Sequence, residues 1–416
     1  MAKKKKFRMI DAILTVICVV FVAEAAAPAA AIGNSQFSWW IFLIIAFLMP
    51  YGLIVCELGT TYADDEGGIA DWVRRAFGDR WGSRVAWYYW INFPLWMASL
   101  AFLFPETIAL MTGFELDLIP TLAIELAFVW IVVFMSFSKV SDSGWILNLS
   151  AVLKVLIAVS VGGLGIYYAV TNGFASDMSP ATFLPSMDAS SLTYLSIILF
   201  NFMGFEAIAV FANDMENPKK QIPTAIIAGG IAIAAIYLFS SFGIGAAIPS
   251  NEVSLDSGIM DAVAIMAGNG SLLFIAIGVV FLITLFGNMI SWSFGVNYVA
   301  AHAADKKNMP GGKAAATVAC WVPVVLLILS MIATIVSLNG SEEELSKIPM
   351  LVGVLAFAVI GEIVRVVSAC KRTEEYRGMA LDGDPEEWDA AHGSLGPAVE
   401  ARLEEVAEHD LEFERG

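Results

Sequence analysis

About ten apolar segments, each roughly twenty residues or longer, recur along this chain and leave few choices of fold. They fall at 10–32, 38–61, 85–111, 117–137, 145–170, 190–212, 222–248, 271–302, 315–338 and 348–370. A bilayer offers no water to backbone N–H and C=O groups, so each segment satisfies its own by forming a helix. The fold class is therefore an all-α polytopic membrane protein. Composition agrees, with 58% hydrophobic residues and a mean hydropathy of +0.74.

Basic residues orient the spans. Alternate connections carry Arg74, Arg75, Arg80 and Arg84, then Lys139, then Lys219 and Lys220, then Lys306, Lys307 and Lys313. The opposite connections carry only Lys347. This bias places the basic loops and both termini in the cytoplasm of a multi-pass cell-membrane protein. Lys3–Lys6 reads as a cytoplasmic anchor beside the bilayer, and the first apolar run lacks the context of a cleavable signal peptide. The net charge of −17 is gathered in the tail and outer loops, so nucleic acid is not an expected partner. Residues 1–370 form a transmembrane domain and 371–416 an acidic cytoplasmic tail. Cys18, Cys56, Cys320 and Cys370 have neither metal spacing nor a disulfide pattern. No Walker loop or nucleophile–base pair is legible; the chain is read as a non-enzyme without catalytic residues, metal or cofactor.

Chemistry is concentrated where polar residues interrupt apolar spans. Segment 190–212 carries Asn201, Gly204 and Glu206 near its middle. A carboxylate at that depth costs about 3 kcal/mol on insertion scales. Glu206 either makes a structural hydrogen bond or marks a substrate pathway. Span 1 carries Ala23-Glu24-Ala25-Ala26-Ala27-Pro28, an acid and a proline near mid-span. This is either a simple proline kink with a snorkelling glutamate or a discontinuous helix. Both spans are expected to be interrupted, around Ala23–Pro28 and around Met203–Phe205. Lys154, about nine residues into span 5, either snorkels to the inner surface or points toward spans 1 and 8 as a buried cation. Asn288 and Trp292 on span 8, with Asn92 on span 3, are candidate cavity-lining residues. Ile69, Trp72, Val73, Ala76 and Phe77 share one face of a short amphipathic helix whose polar face holds Asp71, Arg74 and Arg75.

Phe202-Met203-Gly204-Phe205-Glu206, followed by Asp214-Met215-Glu216-Asn217-Pro218 and Pro223, resembles the sixth span of the amino acid–polyamine–organocation (APC) transporters. The stretch from Cys56-Glu57-Leu58 through Gly67-Gly68 to Trp72-Val73 and Ala76-Phe77-Gly78 is similar to the glutamate/γ-aminobutyrate antiporter branch of that family. The likeness covers residues 10–310. It implies an inverted-repeat bundle of about ten helices with discontinuous helices 1 and 6, moving amino acids or related amines by alternating access. Proton coupling, or exchange against a counter-substrate, is implied, with Lys154 in the place of a coupling sodium ion. Ala23, Glu24, Ala25, Phe202, Gly204 and Glu206 are the implied substrate-binding residues. Where the family usually has G-S-G on span 1, this chain has Phe21-Val22-Ala23, which leaves a carboxylate site there open. Pro310-Gly311-Gly312 resembles the arm entering the family's eleventh span. The ninth and tenth family spans are accordingly read as absent, against the alternative of a bare ten-span core. A non-transporting sensor with the same fold is the alternative function; oligomeric state, antiport or symport, and substrate identity stay open.

Overall fold

The computed structural model describes residues 7–63, 67–136, 140–185, 198–253, 258–305 and 359–366. Helices α1 (Met9–Val20) and α2 (Ala26–Ala30) form a first span bent by 57°. Next come α3 (Gln36–Leu43), α4 (Met49–Thr61), α5 (Ile69–Phe77), α6 (Asp79–Thr112), α7 (Leu118–Ser136) and α8 (Val140–Asn172). After the second broken segment come α9 (Ala207–Val210), α10 (Pro218–Ala247), α11 (Gly258–Ala267) and α12 (Leu272–Asp305). Among the described residues, six helices are long and apolar enough to cross a bilayer, and the bent α1/α2 pair makes a seventh span. The expected segment 315–338, most of 348–370 and the start of the sixth span lie outside the described residues. So does the test of whether the family's ninth and tenth spans are absent.

Each break has a local cause. The first lies at Phe21–Val22, before Pro28 rather than at it. Pro28 is the third residue of α2, where an N–H lacks a helical partner in any case, so proline starts this half-helix instead of kinking a continuous one. The α3–α4 span passes through a π-turn at Ile44–Leu48, which ends two residues before Pro50. The wide turn accommodates a residue that cannot donate to the ladder.

α8 and α10 cross closely. A Cβ on Gly243 would collide with the backbone of Gly162, so glycine is what lets these helices meet at backbone distance. The lead-in residue Phe7 donates its N–H to Asp214 O (2.7 Å) and accepts from Glu216 N–H (3.2 Å) and Gln221 Nε2 (2.8 Å). Span 1 therefore starts at the end of the bundle where the sixth span finishes, and the two broken spans run antiparallel. Side chains pointing out of the bundle are apolar and exposed, among them Ile45, Leu53, Ile231 and Leu272, as a lipid-facing surface requires.

The amphipathic helix α5 buries Trp72 of its apolar face together with Asp71 of its polar one. Ala76 and Phe77 are exposed, while Asp71 is buried with Ala70 and Trp72. Asp71 ion-pairs with Arg74 (2.7 Å) and with His302 Nε2 at the end of α12 (2.5 Å). Burial opposes the charge on Asp71, but hydrogen bonds and charge from His302 and Arg74 outweigh it and hold its pKa at about 2 rather than 3.8. A depressed carboxylate pKa stabilises the fold above the unfolded value and ceases to do so as pH falls through the folded one. α5 is thus expected to stay docked above about pH 4 and to loosen between pH 4 and 2. Asp71→Asn should lower stability by about 2 kcal/mol and flatten that acid limb in melting curves recorded against pH.

Candidate functional site

The two breaks meet at the centre of the bundle, and the first is surrounded by side chains from three other helices. α1 ends with its last carbonyls pointing into the core, the negative end of a half-helix. Lys154 of α8 is 1% exposed and places its Nζ 2.5 Å from Cys18 O, 2.5 Å from Phe21 O and 2.5 Å from Asn288 Oδ1 of α12. A lysine ammonium has three protons, and these three acceptors use all of them. The amine therefore points to spans 1 and 8, not to the surface. Trp292 Nε1, also from α12, donates to Val19 O (2.8 Å). The carbonyls of Cys18, Val19 and Phe21 are thereby occupied by protein donors.

Val22, at the corner, is closed by Tyr237 of α10. Its N–H donates to the Tyr237 hydroxyl (2.9 Å), and that hydroxyl reaches back to Val22 O (3.2 Å). Tyr237 is fully buried, edge-on to Phe21 and stacked on Trp40. Ala23, Glu24 and Ala25 form a single 3-10 turn between α1 and α2. Glu24 lies within electrostatic range of Lys154. Its Oε1 is enclosed and has no hydrogen-bond partner among the described residues.

The second break spans Asn201 to Glu206. Gly204 has φ +107°, and a Cβ there would stand 3.1 Å from the Trp292 ring, so both backbone and packing demand glycine. Glu206 is buried; it accepts the Gly204 N–H (3.1 Å) and the Tyr51 hydroxyl from α4, with Tyr89 of α6 beside it. Glu206 thus secures its own break. Phe202 is fully buried, edge-on to Trp40. Asn201 is 1% exposed, and both its amide atoms lack a partner among the described residues.

The residues singled out in the sequence separate into two groups. Glu24 with Ala23 and Ala25, Lys154, Asn288, Trp292, Phe202, Gly204 and Glu206 converge on the two breaks. Asn92 sits at helical spacing from Tyr89 and Trp96, whose rings face Trp292, but its side chain is exposed. Tyr51, Tyr237 and Trp40 pack against the two breaks and are residues that the sequence reading missed. A phenol in the middle of an apolar span is itself a signal, because a buried hydroxyl must find a partner. No group of three metal-ligating side chains occurs among the described residues.

Two antiparallel broken spans with a buried cation and a buried acid at the breaks define a membrane transporter bundle. The chain belongs to the amino acid permease family, whose model matches residues 7–364. It is 58% identical over 308 residues to the probable agmatine/putrescine antiporter AguD of Lactococcus lactis subsp. lactis, a match covering 74% of this chain and 66% of that protein. It is 22% identical to the glutamate/gamma-aminobutyrate antiporter of Lactococcus lactis subsp. cremoris, over 52% of this chain and 44% of the relative. The chain thus spans less than two thirds of the length of these relatives. The crystal structure of MhsT in complex with L-phenylalanine shares the fold, with a TM-score of 0.55 at 14% identity over 87% of this chain and 89% of MhsT.

Proposed function

We propose that this protein is a secondary transporter of small cationic amines, working by exchange and alternating access, with the substrate ammonium received between the two breaks. The observation that carries this reading is the uneven satisfaction of the first break. Its carbonyls already hold Lys154 and Trp292, which leaves the Glu24 carboxylate, whose Oε1 has no hydrogen-bond partner among the described residues, as a group able to receive a cation. An enclosed carboxylate oxygen without a hydrogen bond is costly, and a substrate ammonium supplies one. Ala23 and Ala25 keep the wall beside Glu24 thin, Phe202 supplies an apolar face, and Gly204 and Glu206 hold the opposite break open. Asn201 offers an amide on that side. Lys154 acts as a fixed or proton-exchanging cation, so transport needs no sodium. The likeness to an agmatine/putrescine antiporter favours amines over amino acids and favours a counter-substrate. The named relatives are antiporters, which gives no support to a sensor or an enzyme. The cationic loops support a cytoplasmic side for both termini and for the acidic tail 371–416.

A thermal-stability panel tests the substrate class. A ligand binding only the folded protein at a hundred times its Kd stabilises by about 2.7 kcal/mol. Agmatine and putrescine are expected to raise the melting temperature, while glutamate and γ-aminobutyrate leave it unchanged. Stabilisation by glutamate alone would overturn the assignment.

A further inference from the structure

We infer that Asp71 and His302 form a proton-sensitive latch, which holds α5 against α9 and α12 and slows exchange at acid pH. This rests on the exchange reading and adds what must part before substrate can leave on that side of the bundle.

The start of α5 closes on two helices that lead to the breaks. A Cβ on Gly68 (φ +50°) would stand 2.9 Å from Val210 of α9, and one on Gly67 would meet Asp71 Oδ2 at 2.5 Å and His302 Cδ2 at 2.7 Å. Glycine at both positions lets the chain come down on α9 and on the end of α12 together. α9 leaves the second break, and α12 carries Asn288 and Trp292 to the first. A buried ion pair fastens this contact. Asp71 is 3% exposed; its Oδ1 meets Arg74 of the same helix at 2.7 Å and its Oδ2 meets His302 Nε2 at 2.5 Å. A nitrogen and a carboxylate oxygen come that close with a proton between them, and the attraction is stronger when the imidazole is a cation. Among the described residues, Asp71 and Arg74 are the charged groups that line the small cavity at His302; α6 contributes Gly82, and α12 contributes Val299 and Ala303. Burial opposes the charge on Asp71, yet His302 and Arg74 hold its pKa at about 2. Imidazole is the side chain whose charge changes between about pH 5 and 8, so Asp71 is ionised throughout that range. At its acid end the pair joins opposite charges and the latch is at full strength. As pH rises, His302 loses its charge and Asp71 keeps Arg74 of its own helix as its cation. α5 stays docked but opens more often.

The experiment follows labelled agmatine exchange by the full-length chain in proteoliposomes, with the same pH on both sides, stepped from about pH 5 to about pH 8. Hydrogen–deuterium exchange of the α5 amides, corrected for its intrinsic pH dependence, reads the latch separately from transport. Wild-type exchange should rise by about fivefold to tenfold across the range, the difference between a charge-assisted and a neutral hydrogen bond, and α5 protection should fall by a similar factor. His302→Gln keeps a side-chain donor and cannot titrate. Its exchange should be fast at every pH, and its α5 less protected than wild type at acid pH, with both profiles flat. Asp71→Asn should flatten both profiles as well. A pair that served packing alone would lower the melting temperature in these variants and leave the pH slopes in place. Wild-type exchange and α5 protection that both ignore pH overturn the inference, and so does a folded His302→Gln that keeps the wild-type slopes. A wild type that exchanges no amine at any pH defeats the transport reading instead. In that case α5 protection that tracks His302 upholds the latch, and protection indifferent to pH removes it.

Discussion

Lys154→Ala is expected to abolish exchange, lowering the rate on the order of a hundredfold, and to destabilise the protein at the same time. The substitution removes one ammonium and leaves Cys18 O, Phe21 O and Asn288 Oδ1 without their donor in a dry interior. Each orphaned buried acceptor costs about 1–3 kcal/mol, so the loss reaches several kcal/mol even when part of it relaxes. Beyond stability, the C-terminal end of α1 would face the acid of Glu24 without an intervening cation. The two half-helices would then no longer be held in register at the break. Lys154→Arg would not rescue, since a planar guanidinium does not fit three acceptors arranged around one nitrogen. Melting curves in detergent together with initial exchange rates check both parts. Near wild-type exchange by Lys154→Ala would remove the residue from the mechanism.

Glu24→Gln should behave in the opposite way on the two axes. Its buried oxygen lacks a hydrogen-bond partner among the described residues, so neutralising it is expected to leave the apo protein as stable as wild type or more so. Binding should suffer instead. Truncating one member of a buried charge pair costs about 2–5 kcal/mol, so agmatine affinity should fall by about thirtyfold or more. A residue retained for binding at the expense of stability leaves this signature; a structural one does not. Ligand titration followed by thermal stability reads both numbers from one sample. Destabilisation with unchanged affinity would return Glu24 to a packing role.

Among the described residues, spans 1 to 5, 7 and 8 were legible in the sequence because lipid imposes them residue by residue, without reference to distant partners. So were the two breaks, since glycine and an acid deep in apolar runs have few accommodations; the direction of Lys154 was left between the inner surface and spans 1 and 8, and its three acceptors decide for the latter. The position of the first break was less legible. Proline was read as the interrupter, whereas Pro28 occupies the first turn of α2 and the chain bends at Phe21–Val22. The burial of Asp71 on α5 was not legible because hydrophobic periodicity does not see His302, which meets Asp71 from 231 positions away (302 minus 71). Tyr237 escaped for the same reason. It closes a corner 215 residues earlier in the chain, and its role exists only once α10 lies against α1.

The most direct measurement is counterflow in sodium-free proteoliposomes: uptake of labelled agmatine into vesicles preloaded with putrescine or left empty. Amine exchange at the two breaks predicts rapid uptake that depends on internal putrescine, persists without sodium, and collapses in Glu24→Gln. Uptake that requires sodium, that ignores the internal amine, or that proceeds unchanged in Glu24→Gln would contradict it.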